Sequence, residues 1–290
     1  MTSTGAPSRP ATASNGVSRE DRLDSPEQVR DELIGGAVAA APELAELIRL
    51  YYRYVPAEEV IDDDPSDLVG AVRSTYQLAD NRVPGRPVVR ILNPTRSQDG
   101  WTCPVTVVQI VTDDMPYLVD SISSALIRSG IQVHRVVHPI VVVRRDVTGE
   151  LREVLPEADP GEPPADTLAE SWMHIEVDLI TDAERGRELE NRLISVVSDV
   201  REVVEDTDKM AGTALQLADQ LEQAPPRLDT EEVADGTSLL RWLAQGHFTF
   251  IGYRQYVWSR TPRAARSRHC ARSLLPAWAC CARTASRRGA

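Results

Sequence analysis

A seven-residue apolar repeat constrains this chain more than any other feature of its sequence. Leu189, Val196, Val203, Met210 and Leu217 recur at that interval, with Leu193, Val200, Thr207, Ala214 and Leu221 as the companion set. A period near 3.5 holds one stripe on one side of a helix, so the residues after Asp182 predict a single long helix with a continuous seam. Gly212 is the expected place for a kink, and Pro225-Pro226 the expected end. Packing of this seam on a sheet or a neighbouring helix is favoured over a dimeric coiled coil.

Upstream, the pattern divides at Pro87. Residues 1–24 are polar and read as disordered, and Met1 to Ser18 lacks the apolar stretch of a signal peptide. Residues 25–82 read as helical. Ser25-Pro26-Glu27 starts a helix expected to stop at Gly35-Gly36. Pro42–Val55 is a second helix, and Leu68, Val69, Val72 and Tyr76 mark a third beyond the acidic Asp62-Asp63-Asp64-Pro65 turn.

From Pro87 the period shortens. Val88–Leu92 is a short strand. Val105–Val111 is nearly all apolar, as a strand covered on both faces would be. Leu118, Ile122, Ala125 and Leu126 form the stripe of a helix ending at Gly130. Ile131–Arg145 is rich in β-branched residues and is bent or broken at Pro139. Trp172–Leu179 alternates, placing Met173, Ile175, Val177 and Leu179 inside and His174, Glu176 and Asp178 outside. Strand, helix, strand, strand and long helix make most of a βαββαβ unit, a topology that suits ACT-like and ferredoxin-like folds. The expected class is α+β, with the ACT-like domain over 87–206 and a helical connector over 207–246. The closing strand is open: Phe248–Trp258 either supplies it or begins a second domain at 247–258.

Charge is split along the chain. The net charge is −12, yet Ser259–Ala290 holds eight arginines and no acid, leaving 24 basic against 44 acidic residues in 1–258, a net of −20. An acidic body argues against nucleic acid or an anionic membrane as partner. No apolar run approaches the ~20 residues of a bilayer span. The expected location is the cytoplasm. Only Cys103 lies in the body, so no disulfide framework is expected there, and Cys270, Cys280 and Cys281 lack the paired spacing of a zinc site.

Motifs for chemistry are few. Neither G-x-G-x-x-G nor G-x-x-x-x-G-K-[ST] occurs, so no phosphate-binding turn is expected. His134 and His138 lie ~13 Å apart if extended, too far to share a metal. They read as partly exposed strand histidines, His174 as a surface cross-strand contact, Asp62–Asp64 as a solvated turn and Cys103 as a small buried side chain. No catalytic, cofactor-binding or metal-ligating residue is expected. The one candidate site joins a buried strand to a helix start: Asp113, Asp114, Met115, Pro116 and Asp120. Either Asp113 or Asp114 caps the helix, or the loop takes a ligand. In the second case helix amides receive a carboxylate and an aspartate receives an amino group. The two readings are compatible.

Four phrases resemble the large bacterial NAD-dependent glutamate dehydrogenases: VTDDMPYLVDSI (111–122), HPIVVVRRD (138–146), ESWMHIEVDLI (170–180) and LLRWLAQGHFTFIGYRQY (239–256). The resemblance runs from about Ala41 to Trp258. It implies an amino-terminal, ACT-like regulatory region, with the catalytic lysine and NAD-binding turn in a dehydrogenase domain far downstream. It also implies homo-oligomers, a possible amino-acid effector, and a parent reaction converting L-glutamate and NAD to 2-oxoglutarate, ammonium and NADH. Lys209, the sole lysine, offers no counterpart of the catalytic one.

This sequence departs from the family twice. Tyr117 stands where amino-acid-binding ACT domains carry glycine, which would crowd a ligand against the backbone. The family continues past GYRQY into a second regulatory domain, whereas 259–290 has no period and no acid. That tail reads as a GC-rich gene translated out of frame, the alternative being a basic arm for nucleic acid or an acidic partner. Three functions follow: an inactive regulatory fragment of the dehydrogenase, a free-standing amino-acid-sensing or interaction module, or an assembly element built on the Leu189–Leu221 seam.

Overall fold

The computed structural model describes residues 25–223, 229–254, 256–258 and 270–272. Expectations for residues 1–24, for most of 259–290, and for Pro225-Pro226 as a helix stop fall outside these. Cys270–Arg272 (β8) is described and pairs antiparallel with Tyr256–Trp258 (β7).

The chain is α+β. Three helices come first: α1 (Pro26–Ala40), α2 (Ala45–Tyr51) and α3 (Pro65–Ala79). Ser25 caps α1 in a capping box with Gln28. Contrary to the expected stop, α1 runs through Gly35-Gly36. A Cβ at Gly36 would lie 3.3 Å from the Pro65 ring, so that position favours close approach of the start of α3. The second helix is shorter than expected, because Pro42–Leu44 is a 3-10 turn and α2 ends at Tyr51. Asp64 caps α3 through the Ser66 amide.

The strands are β1 (Val88–Leu92), β2 (Thr106–Asp113), β3 (Val133–Val137), β4 (Ile140–Arg145), β5 (Leu151–Leu155) and β6 (Leu168–Val177). A short helix, α4 (Arg96–Asp99), separates β1 from β2, and α5 (Leu118–Arg128) follows β2. Every pairing in the six-stranded sheet is antiparallel. β2 lies along one side of β6, while β3 and β4 share the other side, β3 against 174–177 and β4 against 168–171. They are two halves of one strand broken at Pro139, whose carbonyl still accepts the Trp172 amide at 3.0 Å.

In a βαββαβ unit the last strand lies beside the first. Here β1, which precedes the unit in sequence, occupies that place against β2. Phe248–Trp258 therefore does not close the sheet.

Both faces of the sheet are covered. On one, α5 and α6 (Ala183–Gln223) pack Leu118, Ile122, Leu126, Leu189, Leu193 and Val197 on Val108, Ile110, Met173 and Ile175. On the other, α1–α3 pack Ile48, Tyr51, Val69 and Val72 on Val111, Val141, Val143 and Trp172. This second cover explains why β2 is nearly all apolar and buried from Thr106 to Thr112. It also overturns the reading of β6 as half-exposed. His174 and Glu176 sit on the face beneath the N-terminal helices and are buried, His174 at 3% exposure. The strand ends at Val177, and Leu179, expected inside, is 56% exposed while Ile180 is buried.

The long helix runs through Gly212 as one element of 41 residues, crossing 206–207 unbroken. Its seam packs on the sheet at Leu189, Leu193, Val197 and Val200 and continues through Met210, Ala214 and Ala218, where α7 (Thr230–Trp242) packs beside it. A π-type turn, Leu243–His247, follows α7.

Candidate functional site

The β2–α5 loop divides its residues between two environments. Register pairs Asp113, the last residue of β2, with Glu170 on β6. Two carboxylates in register repel each other. Arg82, just beyond α3 and 1% exposed, lies between them. Its Nη2 is 2.5 Å from Asp113 Oδ1 and 2.5 Å from Glu170 Oε1, and its Nε donates to Glu170 Oε1 at 3.1 Å. Arg145 from β4 donates to both Glu170 oxygens, at 2.6 and 2.9 Å, and Trp172 Nε1 adds a bond at 3.0 Å. The second Asp113 oxygen accepts from Arg201 on α6 at 2.5 Å and from the Gly85 amide at 2.8 Å.

Three guanidinium groups therefore face two carboxylates. Burial pushes the Asp113 carboxyl up, but the Arg82 hydrogen bond and the Arg82 and Arg201 charges outweigh it and hold the group below its ordinary value. The cluster ties the segment after α3, β2, β4, β6 and α6 together at one end of the sheet. Removing one of its fully buried partners, Arg82, Arg145 or Glu170, leaves an uncompensated charge and costs about 3–5 kcal/mol.

Asp114 accepts from Ser171 Oγ at 2.6 Å, while its amide donates to the Ala169 carbonyl. His138 Nε2 lies 2.9 Å from the same Ser171 oxygen. Since the serine proton goes to Asp114, the imidazole must donate. Serine then lies between acid and histidine, an order that offers no proton acceptor of the usual nucleophilic arrangement. Burial lowers the His138 pKa.

Neither aspartate caps α5, contrary to that expectation. The cap position is Tyr117, which makes no side-chain cap bond and has φ 70, in the left-handed region. The place where ACT domains carry glycine thus has a glycine-like backbone with a tyrosine on it, a conformation costing roughly 1–2 kcal/mol. Met115 packs against the α5–α6 core. Pro116 is exposed. Asp120 is exposed and, with Tyr117, Ser121 and Arg128, lines a groove of about 570 Å³ between α5 and α6, walled by Val196, Val200, Val203 and Ile251.

Arg82, Arg145, Glu170 and Arg201 escape sequence reasoning because they lie on separate elements, with bonded partners up to 88 residues apart. Glu170 carries no local signal either, since it shares its strand face with Trp172 and the polar His174 and Glu176. His134 pairs with Asp178 at 3.0 Å on the surface, as expected of an exposed strand histidine. Cys103 is only partly buried, and desolvation pushes its thiol up to about 11, so it is no nucleophile. Among the described residues no His, Cys, Asp or Glu group is placed to hold a metal, and no helix is long and apolar enough to cross a membrane.

An antiparallel sheet flanked by α5 and α6, with a strand-to-helix loop opening onto a groove, defines an ACT-like α+β domain. A family model described as "Glutamate dehydrogenase, ACT1 domain" matches residues 47–193, and the chain belongs to that family. The NAD-specific glutamate dehydrogenase of Pseudomonas aeruginosa is 33% identical over 217 residues, 75% of this chain and 13% of the relative. That of Halomonas elongata is 34% identical over 239 residues, 82% of this chain and 15% of the relative. That of Mycobacterium tuberculosis is 33% identical over 148 residues, 51% of this chain and 9% of the relative. The chain therefore spans a small fraction of the length of the relatives it matches.

The β2–α5 loop does not fit the NAD that these names carry. The loop from Asp113 to Leu118 has no glycine, and a pyrophosphate at the α5 N-terminus would meet Asp120 in its first turn.

Proposed function

We propose that this chain is an amino-terminal, ACT-like regulatory unit of an NAD-specific glutamate dehydrogenase, without a catalytic centre of its own. In the longer enzyme the reaction is L-glutamate and NAD to 2-oxoglutarate, ammonium and NADH, carried out in the cytoplasm by parts outside this region. The observation that carries the reading is the Asp113 carboxylate, held by Arg82 beneath the sheet end and by Arg201 on α6. Anything that moves the β2–α5 loop therefore pulls on the long helix.

An amino acid is the proposed effector. Its ammonium group would meet Asp120 at the mouth of the α5–α6 groove, and its side chain the Val196, Val200 and Val203 wall. Asp113 and Asp114 support the loop instead of touching the ligand, since their carboxylates are engaged by arginines and Ser171. Titrating the purified chain with the common amino acids by calorimetry tests this. Saturable binding weakened in Asp120→Asn supports the proposal, and no binding by any amino acid removes it. A free-standing interaction module is the second reading, favoured by exposed Leu239, Trp242, Phe248 and Ile251 on and after α7. The full-length family is expected to assemble as homo-oligomers, without nucleic acid or membrane.

A further inference from the structure

On the sheet face opposite the α5–α6 groove, a cavity of about 450 Å³ opens between the N-terminal helices and strands β3 and β6. Six carboxylates line it: Glu59, Asp62, Asp63, Asp64, Asp67 and Glu176. Two guanidinium groups stand against them: Arg135 donates to Glu176 at 2.9 Å and pairs with Asp63 at 2.5 Å, and Arg96 pairs with Asp67 at 2.8 Å. The cavity thus keeps an excess of negative charge after its internal ion pairs are made.

Its floor contains a buried imidazole. His174 Nε2 lies 3.4 Å from Glu176 Oε1, which assigns the proton to Nε2 and leaves Nδ1 as a lone-pair acceptor. That Nδ1 is buried and has no hydrogen-bond partner. A buried acceptor without a partner is costly, so its persistence calls for a donor.

The walls are aromatic. Trp101 lies 6.0 Å from the His174 ring, and Tyr52 lines the same space. Gly70 on α3 makes room for Trp101, whose Cβ would sit 2.1 Å from a Cβ placed there. An acidic rim, an aromatic wall and an imidazole acceptor together match a cation that carries N–H donors. The carboxylates do not converge as metal ligands, which favours an organic cation.

We propose that this cavity binds a small organic cation with N–H donors, an amine or a guanidinium, donating to His174 Nδ1 with its charge toward Asp62 and Asp64 at the rim. The site is separate from the β2–α5 loop, and either proposal can fail without the other.

The test is nitrogen NMR of the His174 imidazole in the full chain, titrated with putrescine and with L-arginine. Tetramethylammonium, which lacks N–H, and L-glutamate serve as controls. A saturable shift of Nδ1 with either amine is expected, with tetramethylammonium at least ~10-fold weaker. His174→Phe is expected to weaken binding at least ~10-fold. Asp62→Asn at the exposed rim, a variant with no burden on the fold, is expected to weaken it up to ~5-fold. Asp120→Asn, in the other groove, is expected to leave it unchanged. The proposal is overturned by a Nδ1 signal that no amine moves, which would mean water is its only partner. Equal binding of tetramethylammonium, or unchanged affinity in both His174→Phe and Asp62→Asn, also overturns it.

Discussion

Asp113 and Glu170 face each other in register across β2 and β6, and Arg82 lies between them with one nitrogen 2.5 Å from each carboxylate. The arrangement converts a repulsive cross-strand pair into the joint that fastens the N-terminal helical segment to the sheet. Arg145 and Arg201 extend it to β4 and α6.

Breaking that joint should be among the costliest single changes in the chain. Glu170→Gln leaves Arg82 and Arg145 buried against a neutral amide, and a loss of about 3–5 kcal/mol is expected from urea unfolding. Arg201→Met, at a more exposed position, should cost under about 1 kcal/mol while cutting the link to α6.

Acid should weaken the fold in two stages. The His138 pKa is lowered in the folded state, so its contribution is present above its ordinary 6.5 and is lost as pH falls below that value. The carboxyls of Asp113 and Glu176 are also held low, from ordinary values of 3.8 and 4.5. Burial opposes both shifts, but Arg82 and Arg201 outweigh it at Asp113, as do His174 and Arg135 at Glu176. Their contribution is full above those values and is lost as pH falls beneath them. Asp63, raised mainly by burial, has the opposite sign and partly offsets them. Urea midpoints measured from pH 8 to pH 3 should decline in both windows, and His138→Gln should remove the upper decline alone.

The seam of α6 should be energetically uneven. Leu193 is fully buried on the sheet, and Leu193→Ala is expected to cost about 2–5 kcal/mol. Leu217, on the same repeat but 37% exposed, should cost less than about 1 kcal/mol. Thermal melts of the two variants check this. Equal losses at both positions would favour a partner helix along the whole seam.

Tyr117→Gly should leave the domain as stable as before or more so, by up to about 1 kcal/mol, since it relieves a left-handed tyrosine. The same substitution widens the mouth of the α5–α6 groove and should raise amino-acid affinity there, read by calorimetry.

Much of the fold was legible in the sequence because its strongest periods are those of its core. The Leu118–Leu126 stripe, the run in β2 and the seven-residue repeat each state one face of one element, and the break at Pro139 follows from a missing amide. What lay hidden depends on a second covering layer. Nothing local in β6 distinguishes an open polar face from one roofed by helices that end more than 90 residues before His174, so alternation alone places His174 and Glu176 on the surface. The closing strand stays open in the sequence for a related reason: a strand that precedes its unit does the work of one expected after it. At the candidate site, the loop was visible from its strand-to-helix position. The division of labour within it, Asp113 for support and Asp120 for the groove, is set by arginines on three different segments.

Hydrogen exchange of the chain with and without a saturating amino acid tests the central claim most directly. If the β2–α5 loop communicates with α6 through Asp113 and Arg201, ligand should raise protection both in the loop and in the α6 turn around Arg201, and Arg201→Met should confine the change to the loop. Protection that rises in the loop alone in the unmodified chain, or spreads equally in the variant, would contradict the account.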